Sequence, residues 1–198
     1  MLLVLPAAAR QTPWRRYVFQ DNTFETLSLT SNSPCFTACA QSADPPVTPD
    51  TWDVRASVLA DVTGDGAQEW TLLVWRPWRD WAIQAWLPVP SPITDYHDAA
   101  GDSCHVILLD PGGREIWAGS ALPAPFVDIA VGDVNGDGRN ELVTLEGDYA
   151  VGREGPATHI NIWRWNGFGF SLEHRSPPGT WRELCLTNND DRSNIVVR

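Results

Sequence analysis

The chain lacks the motifs that mark common enzyme classes. Its four histidines, His97, His105, His159 and His174, form no H-E-x-x-H or similar array, which leaves no metalloprotease pattern. No serine sits in a G-x-S-x-G elbow. There is no GKS or GKT, and "GREG" at 152–155 and "PGG" at 111–113 read as turns rather than phosphate loops. Long apolar runs are missing too. "MLLVLPAAA" at the N terminus is too short to span a membrane. Basic residues are outnumbered, 14 against 25 acidic, and the net charge of −11 argues against a nucleic-acid partner, which needs a basic face.

Methionine occurs once against eleven tryptophans, and aromatic residues suit pleated, half-buried sheet surfaces. Sixteen prolines and fifteen glycines imply frequent turns, and 43% apolar residues in 198 can build a real core. No segment carries a long 3.6-residue periodicity between caps.

The apolar start followed by Ala7, Ala8 and Ala9 lacks a basic n-region, and it reads either as the end of a signal peptide with a small-residue cleavage site or as a stray apolar start. On the first reading, residues 1–13 are expected as a signal remnant and 14–198 as one domain. Export places the domain in an extracellular, periplasmic or cell-surface setting. Four cysteines then permit disulfides, with Cys35 and Cys39 the best candidates for a local bridge beside Cys104 and Cys185. A zinc site from Cys35, Cys39, Cys104 and His105 has loose spacing and no second paired motif.

An internal repeat organises the chain. "LADVTGDGAQEWTLLVW" at 59–75 aligns with "VGDVNGDGRNELVTLEG" at 131–147, 72 residues on. A third, eroded copy, "LCLTNNDDRSNIVV" at 184–197, puts Asn188 and Asp190 at the third and fifth positions, with Leu186 at the first and Asp191 in place of the glycine, and is expected to keep the strands without the metal. Hairpins separate the copies. "HINIWRWNGFGFSLEHR" turns at Asn166-Gly167, "CHVILLDPGGREIWAGS" at 111–113, and "RRYVFQDNTFETLSL" at Asp21-Asn22. Hairpin and loop-strand units alternate as the four short strands of a propeller blade would, for about three blades. The chain begins with an outer hairpin and ends with inner strands, so its two ends have the pattern to complete one blade. Three is below the usual 4–8 blades. Assembly with another copy, a fragment, or a degenerate blade in residues 76–102 all remain open, although 76–102 reads as a strand and an inserted loop.

The repeated loops carry calcium chemistry. Calcium wants six to eight oxygens, and a tight loop supplies them from alternate positions. The candidates are Asp61, Thr63, Asp65, the Ala67 carbonyl and Glu69 in the first loop. In the second they are Asp133, Asn135, Asp137, the Arg139 carbonyl and Glu141. The Asn135 amide is a better ligand than the Thr63 hydroxyl, so the second site is expected to be tighter. An EF-hand would close with an acid at position 12. Here that position is Leu72 or Thr144, and the acid comes at position 9, before a strand.

The pattern D-x-[NT]-G-D-G-x-x-E followed by an apolar strand resembles the FG-GAP/VCBS repeat, the blade motif of integrin α-chain-like β-propellers. The resemblance implies an all-β, propeller-like fold with structural calcium in the loops. It also implies a non-enzymatic scaffold or binding module for protein or glycan ligands.

Two clusters stand outside that scheme. Trp75, Trp78, Trp81 and Trp86 lie near Arg76 and Arg79, and this stretch is the alternative carbohydrate face, with Trp78 and Trp81 as the ligand contacts. Packing between blades is the bland reading of the same tryptophans. "DYHDAAGDSCH", with Asp95, His97, Asp98, Asp102 and His105, reads as an exposed polar loop. A propeller-enzyme fragment is a third reading without direct support.

Overall fold

The computed structural model describes residues 15–20, 23–28, 45, 48–87, 89–189 and 192–198. The 1–13 segment and the Cys35–Cys39 bridge expected above fall outside these residues. The fold is all-β, and one short 3₁₀ turn at Ala82–Ala85 is the only helical segment among the described residues.

Among the described residues, twelve strands make three open, antiparallel, four-stranded sheets. The first holds β3 (Asp53–Ala60), β4 (Glu69–Pro77), β5 (Asp102–Leu109) and β6 (Glu115–Ala118), side by side in chain order. The second holds β7 (Phe126–Gly132), β8 (Glu141–Glu146), β9 (His159–Trp165) and β10 (Phe170–Arg175) in the same order. The third runs β11 (Leu184–Asn189), β12 (Arg192–Val197), β1 (Arg15–Gln20), β2 (Thr23–Ser28). The two ends of the chain thus share one sheet, with Arg15 opposite Val197 and Tyr17 opposite Ile195.

The expected hairpins are present as β5–β6, β9–β10 and β1–β2, the last paired as far as Gln20 and Thr23, with the expected turn residues Asp21 and Asn22 outside the described residues. Each acidic loop joins the first two strands of its sheet, spanning from Ala60 to Glu69 and from Gly132 to Glu141. The third copy differs. Its ladder continues through Asn188 opposite Ser193 to Asn189 opposite Arg192, which leaves two residues for the turn. Asn188 is therefore a strand position, not the third position of a metal loop. No blade hides in 76–102, where β4 ends at Pro77 and the described residues up to β5 form only the 3₁₀ turn and irregular chain.

β7 lies against β3 on one side and β11 on the other. Two apolar clusters fill these contacts. Val58, Leu73, Trp75, Val106 and Leu108 pack on Phe126, Ile129, Val131 and Leu142 between the first and second sheets. Val143, Leu145, Ile160 and Ile162 pack with Tyr17, Trp181, Leu186, Ile195 and Val197 between the second and third. β4 is buried along both faces, so its "WTLLVW" run is continuously apolar rather than alternating. A fully buried Leu or Ile contributes roughly 1.5–3 kcal/mol, which makes these interleaved faces the main hold between sheets.

Cys185 is disulfide-bonded to a partner outside the described residues, and Cys104 is a free, buried thiol that burial pushes up to about 12. Cys104 faces the core while His105, next along β5, faces the opposite side, as strand alternation requires. The two cannot serve one zinc ion as sequence neighbours.

Candidate metal centre

Both acidic loops turn on glycines with positive φ, at Gly64 (75°) and Gly66 (91°) in the first and Gly136 (81°) and Gly138 (82°) in the second. The fourth-position glycine matters as much as the sixth, because side chains rarely adopt this backbone. The first aspartate wraps the turn. Asp61 Oδ1 accepts from Gly64 N at 2.7 Å and Oδ2 from Gly66 N at 3.0 Å. Asp133 repeats this with Gly136 N at 2.6 Å and Gly138 N at 2.7 Å. The fifth-position aspartates accept from the seventh-position amides, Ala67 N to Asp65 at 2.8 Å and Arg139 N to Asp137 at 3.0 Å.

The ninth-position glutamates are the buried members, Glu69 at 2% exposure and Glu141 at 0%. Each begins a strand and reaches back into its loop. Glu69 Oε2 accepts from Val62 N at 3.1 Å, and Glu141 Oε2 accepts from Val134 N at 3.1 Å. Thr63 Oγ1 donates to Glu69 Oε1 at 3.3 Å, and Asn135 Nδ2 donates to Glu141 Oε1 at 3.2 Å. Position 3 thus meets position 9 in both loops, as the ligand spacing anticipates.

In the first loop, carboxylate oxygens of Asp61, Asp65 and Glu69 all lie within 4.8 Å of one another. Two unit charges at that separation repel by about 3–4 kcal/mol at an effective dielectric near 20. Burial, with Asp65 and Asp61 adding to it, raises the Glu69 carboxyl above its ordinary value. No arginine forms an ion pair with these three among the described residues. A hard oxygen-seeking cation suits this arrangement, since it would offset the repulsion that the chain itself leaves standing.

The second loop is occupied by a side chain. Arg164 Nη2 lies 2.6 Å from Asp137 Oδ2 and 2.8 Å from Glu141 Oε1, and its Nε lies 3.0 Å from Glu173. Burial pushes Glu141 up to about 7, and the Arg164 charge opposes that rise. The ranking expected from Asn135 against Thr63 left this guanidinium out. Register explains why only one loop has it. Leu142 pairs with Trp163 in the second sheet, and Trp70 with Leu109 in the first. The next residue on the neighbouring strand is Arg164 in one case and Asp110 in the other. Asp110 turns away into its own hairpin, accepting from Arg114 N at 2.9 Å and Arg114 Nε at 3.0 Å.

The loops also touch one another. Asn140 Nδ2 donates to the Asp61 carbonyl at 2.8 Å, and Ser193 N donates to the Asp133 carbonyl at 2.6 Å. The Arg139 side chain lies over the first loop, 3.1 Å from where a Cβ on Gly64 would stand. In the second and third copies, the residue before the ninth position thus clasps the preceding loop.

The Trp/Arg stretch divides into buried and open parts. Trp75 is 2% exposed, packed edge-on to Tyr149 at 5.6 Å and covered by Arg153 at 4.7 Å. Trp78 is half-buried, donates Nε1–H to the Ile93 carbonyl at 3.0 Å and packs on His97. Trp81 and Trp86 are exposed. The "DYHDAAGDSCH" segment is not a free polar loop. Asp98 is buried, accepts from Ala100 N and Asp102 N, and pairs with Arg153, which also binds Asp53 and Asp102. Arg153 and Arg164 were the residues with most structural consequence that sequence reading missed. Each meets acids 23 or more positions away, and only strand register brings them together.

Set against protein-family models, curated proteins and solved structures, the chain matches none. No helix among the described residues is long and apolar enough to cross a membrane.

Proposed function

We propose that this chain is an exported, non-enzymatic, propeller-like module of the FG-GAP/VCBS kind, pinned by calcium, whose role is to bind another molecule. The single observation that carries the calcium part is the convergence of Asp61, Asp65 and Glu69 within 4.8 Å. Bound there, calcium would supply charge neutralisation and hold the turn between β3 and β4. Thr63 and the Ala67 carbonyl complete the donor set. Three four-stranded sheets that each run in strand order and meet along β3, β7 and β11 support the blade reading. Three is too few for the usual closed ring, so a second copy completing it belongs to the same proposal.

The second loop is the arginine-neutralised version of the first. Calcium titration by calorimetry is expected to give one site per chain, with an affinity of about 10⁻⁴–10⁻³ M, as in extracellular modules. Asp65→Asn removes it. Two equal sites, or none, would contradict this reading. The solution mass with and without calcium tests the ring: a dimer supports completion by a second copy, a monomer contradicts it.

A further inference from the structure

The end of the first sheet opposite the calcium loop carries a cleft of about 390 Å³, within the size range of small-ligand sites. Its walls include Trp52, Arg76, Arg79, Trp81, His105 and Ser120. Arg76 lies seven positions along β4 from Glu69, about 23 Å at strand rise. The cleft and the acidic loop are therefore separate places.

Two cations converge here without carboxylate partners. Among the described residues neither Arg76 nor Arg79 forms an ion pair. Arg76 is half-buried, and its guanidinium stands 5.8 Å from the centre of the Trp52 ring. Arg76 Nη2 lies 3.3 Å from His105 Nδ1, but that nitrogen is the donor to a carbonyl and offers the guanidinium no acceptor. His105 Nδ1 is 2.9 Å from the Gly119 carbonyl and so carries the proton, while Nε2 accepts from Ser103 Oγ at 2.7 Å. The His105 ring is thus neutral and fixed, and burial lowers it to about 4. Desolvation and the neighbouring Arg79 both disfavour the Arg76 charge, and Glu115 acts on it only at a distance. Asp80 also lines the cleft, with Oδ1 accepting from Trp81 N at 2.7 Å.

A half-buried arginine beside a second arginine, in a chain of net charge −11, is an uncompensated anion site. Trp81, 43% exposed, is the ring platform next to it. Trp78 is not that platform, because it is half-buried against the His97 ring and does not line the cleft. The hydroxyls of Thr51 and Ser120 line the same space and suit a polyhydroxylated ligand.

We propose that this cleft binds a single acidic sugar, with its carboxylate between Arg76 and Arg79 and its ring on Trp81. The overall negative charge repels long polyanions, so the fit is to one uronate residue, at a chain end or within a neutral glycan. This deepens the binding-module reading and rests on it, but not on calcium.

The test is calorimetry of the full chain with D-glucuronate, glucose and benzoate, run in EDTA so that a carboxylate cannot bridge through loop-bound calcium. Glucuronate is expected to bind at least tenfold more tightly than either comparison compound. Arg79→Gln, at an exposed position that leaves the core intact, and Trp81→Ala should each weaken it at least tenfold. Equal binding of glucose would remove the anion role. Equal binding of benzoate would remove the sugar assignment. An unchanged affinity in Arg79→Gln, or no binding of glucuronate, would overturn the site, whatever the calcium titration shows.

Discussion

Arg164 stands 2.8 Å from the buried Oε1 of Glu141, reaching from β9 into a loop whose sister in the first sheet holds three converging carboxylates that, among the described residues, form no ion pair with an arginine. One repeat carries its cation in the chain. The other, in the calcium reading, would take its cation from solution.

This makes Arg164→Gln informative in two ways. Glu141 has a folded-state value near 7, above its ordinary 4.5, so the folded state holds more protons between those values. Its contribution to stability therefore falls as pH rises through that window. Loss of the Arg164 charge raises Glu141 further and extends the loss above pH 7. In EDTA, urea unfolding should show Arg164→Gln less stable by about 2–3 kcal/mol at pH 8, and by clearly less at pH 5. Equal losses at both values would refute the pairing. With calcium present, the same variant should bind two ions per chain instead of one.

The shared sheet of the two chain ends depends on Tyr17, which is buried and meets Trp181 edge-on with centroids 6.1 Å apart. Tyr17→Ala should cost about 3 kcal/mol, as for other large aromatic truncations, and Tyr17→Phe less than about 1 kcal/mol. Removal of residues 15–28 would free the β12 edge and its buried Ile195 and Val197. Aggregation measured by light scattering is the expected result. A soluble, fully stable truncation would show that the pairing contributes little.

Asp128 ties β7 to β11 through Leu184 N at 3.0 Å. Burial raises its carboxyl to about 6 from 3.8. The protonated form is the one favoured by folding, so stability is full below about pH 4 and is lost as pH rises through 6. Asp128→Asn should flatten that part of the pH profile and match or exceed the parent at pH 7, by up to about 2 kcal/mol. A variant markedly less stable at pH 7 would mean that the ionised carboxylate is the stabilising form.

Local and repeated features were the legible ones. The Asn166-Gly167 and 111–113 turns with the alternation around them placed β9–β10 and β5–β6, and the 72-residue repeat placed β3–β4 and β7–β8, because hairpins obey short-range rules. Pairing of the two ends followed from counting inner and outer strands. The strand geometry of the third copy was legible from its apolar run, while the ladder running on through Asn188 was not. Arg164, Arg153 and the burial of Trp75 were not legible, since each depends on which face of a neighbouring strand arrives at which register.

The most direct test of calcium binding by the first loop is the melting temperature in EDTA and in 10 mM calcium, for the parent chain and for Glu69→Gln. Calcium should raise the parent by about 3–10 °C. Glu69→Gln should match or exceed the parent in EDTA, because it removes a buried charge, and should lose the calcium response. A parent melting temperature unmoved by calcium, or a full response retained in Glu69→Gln, would contradict the account.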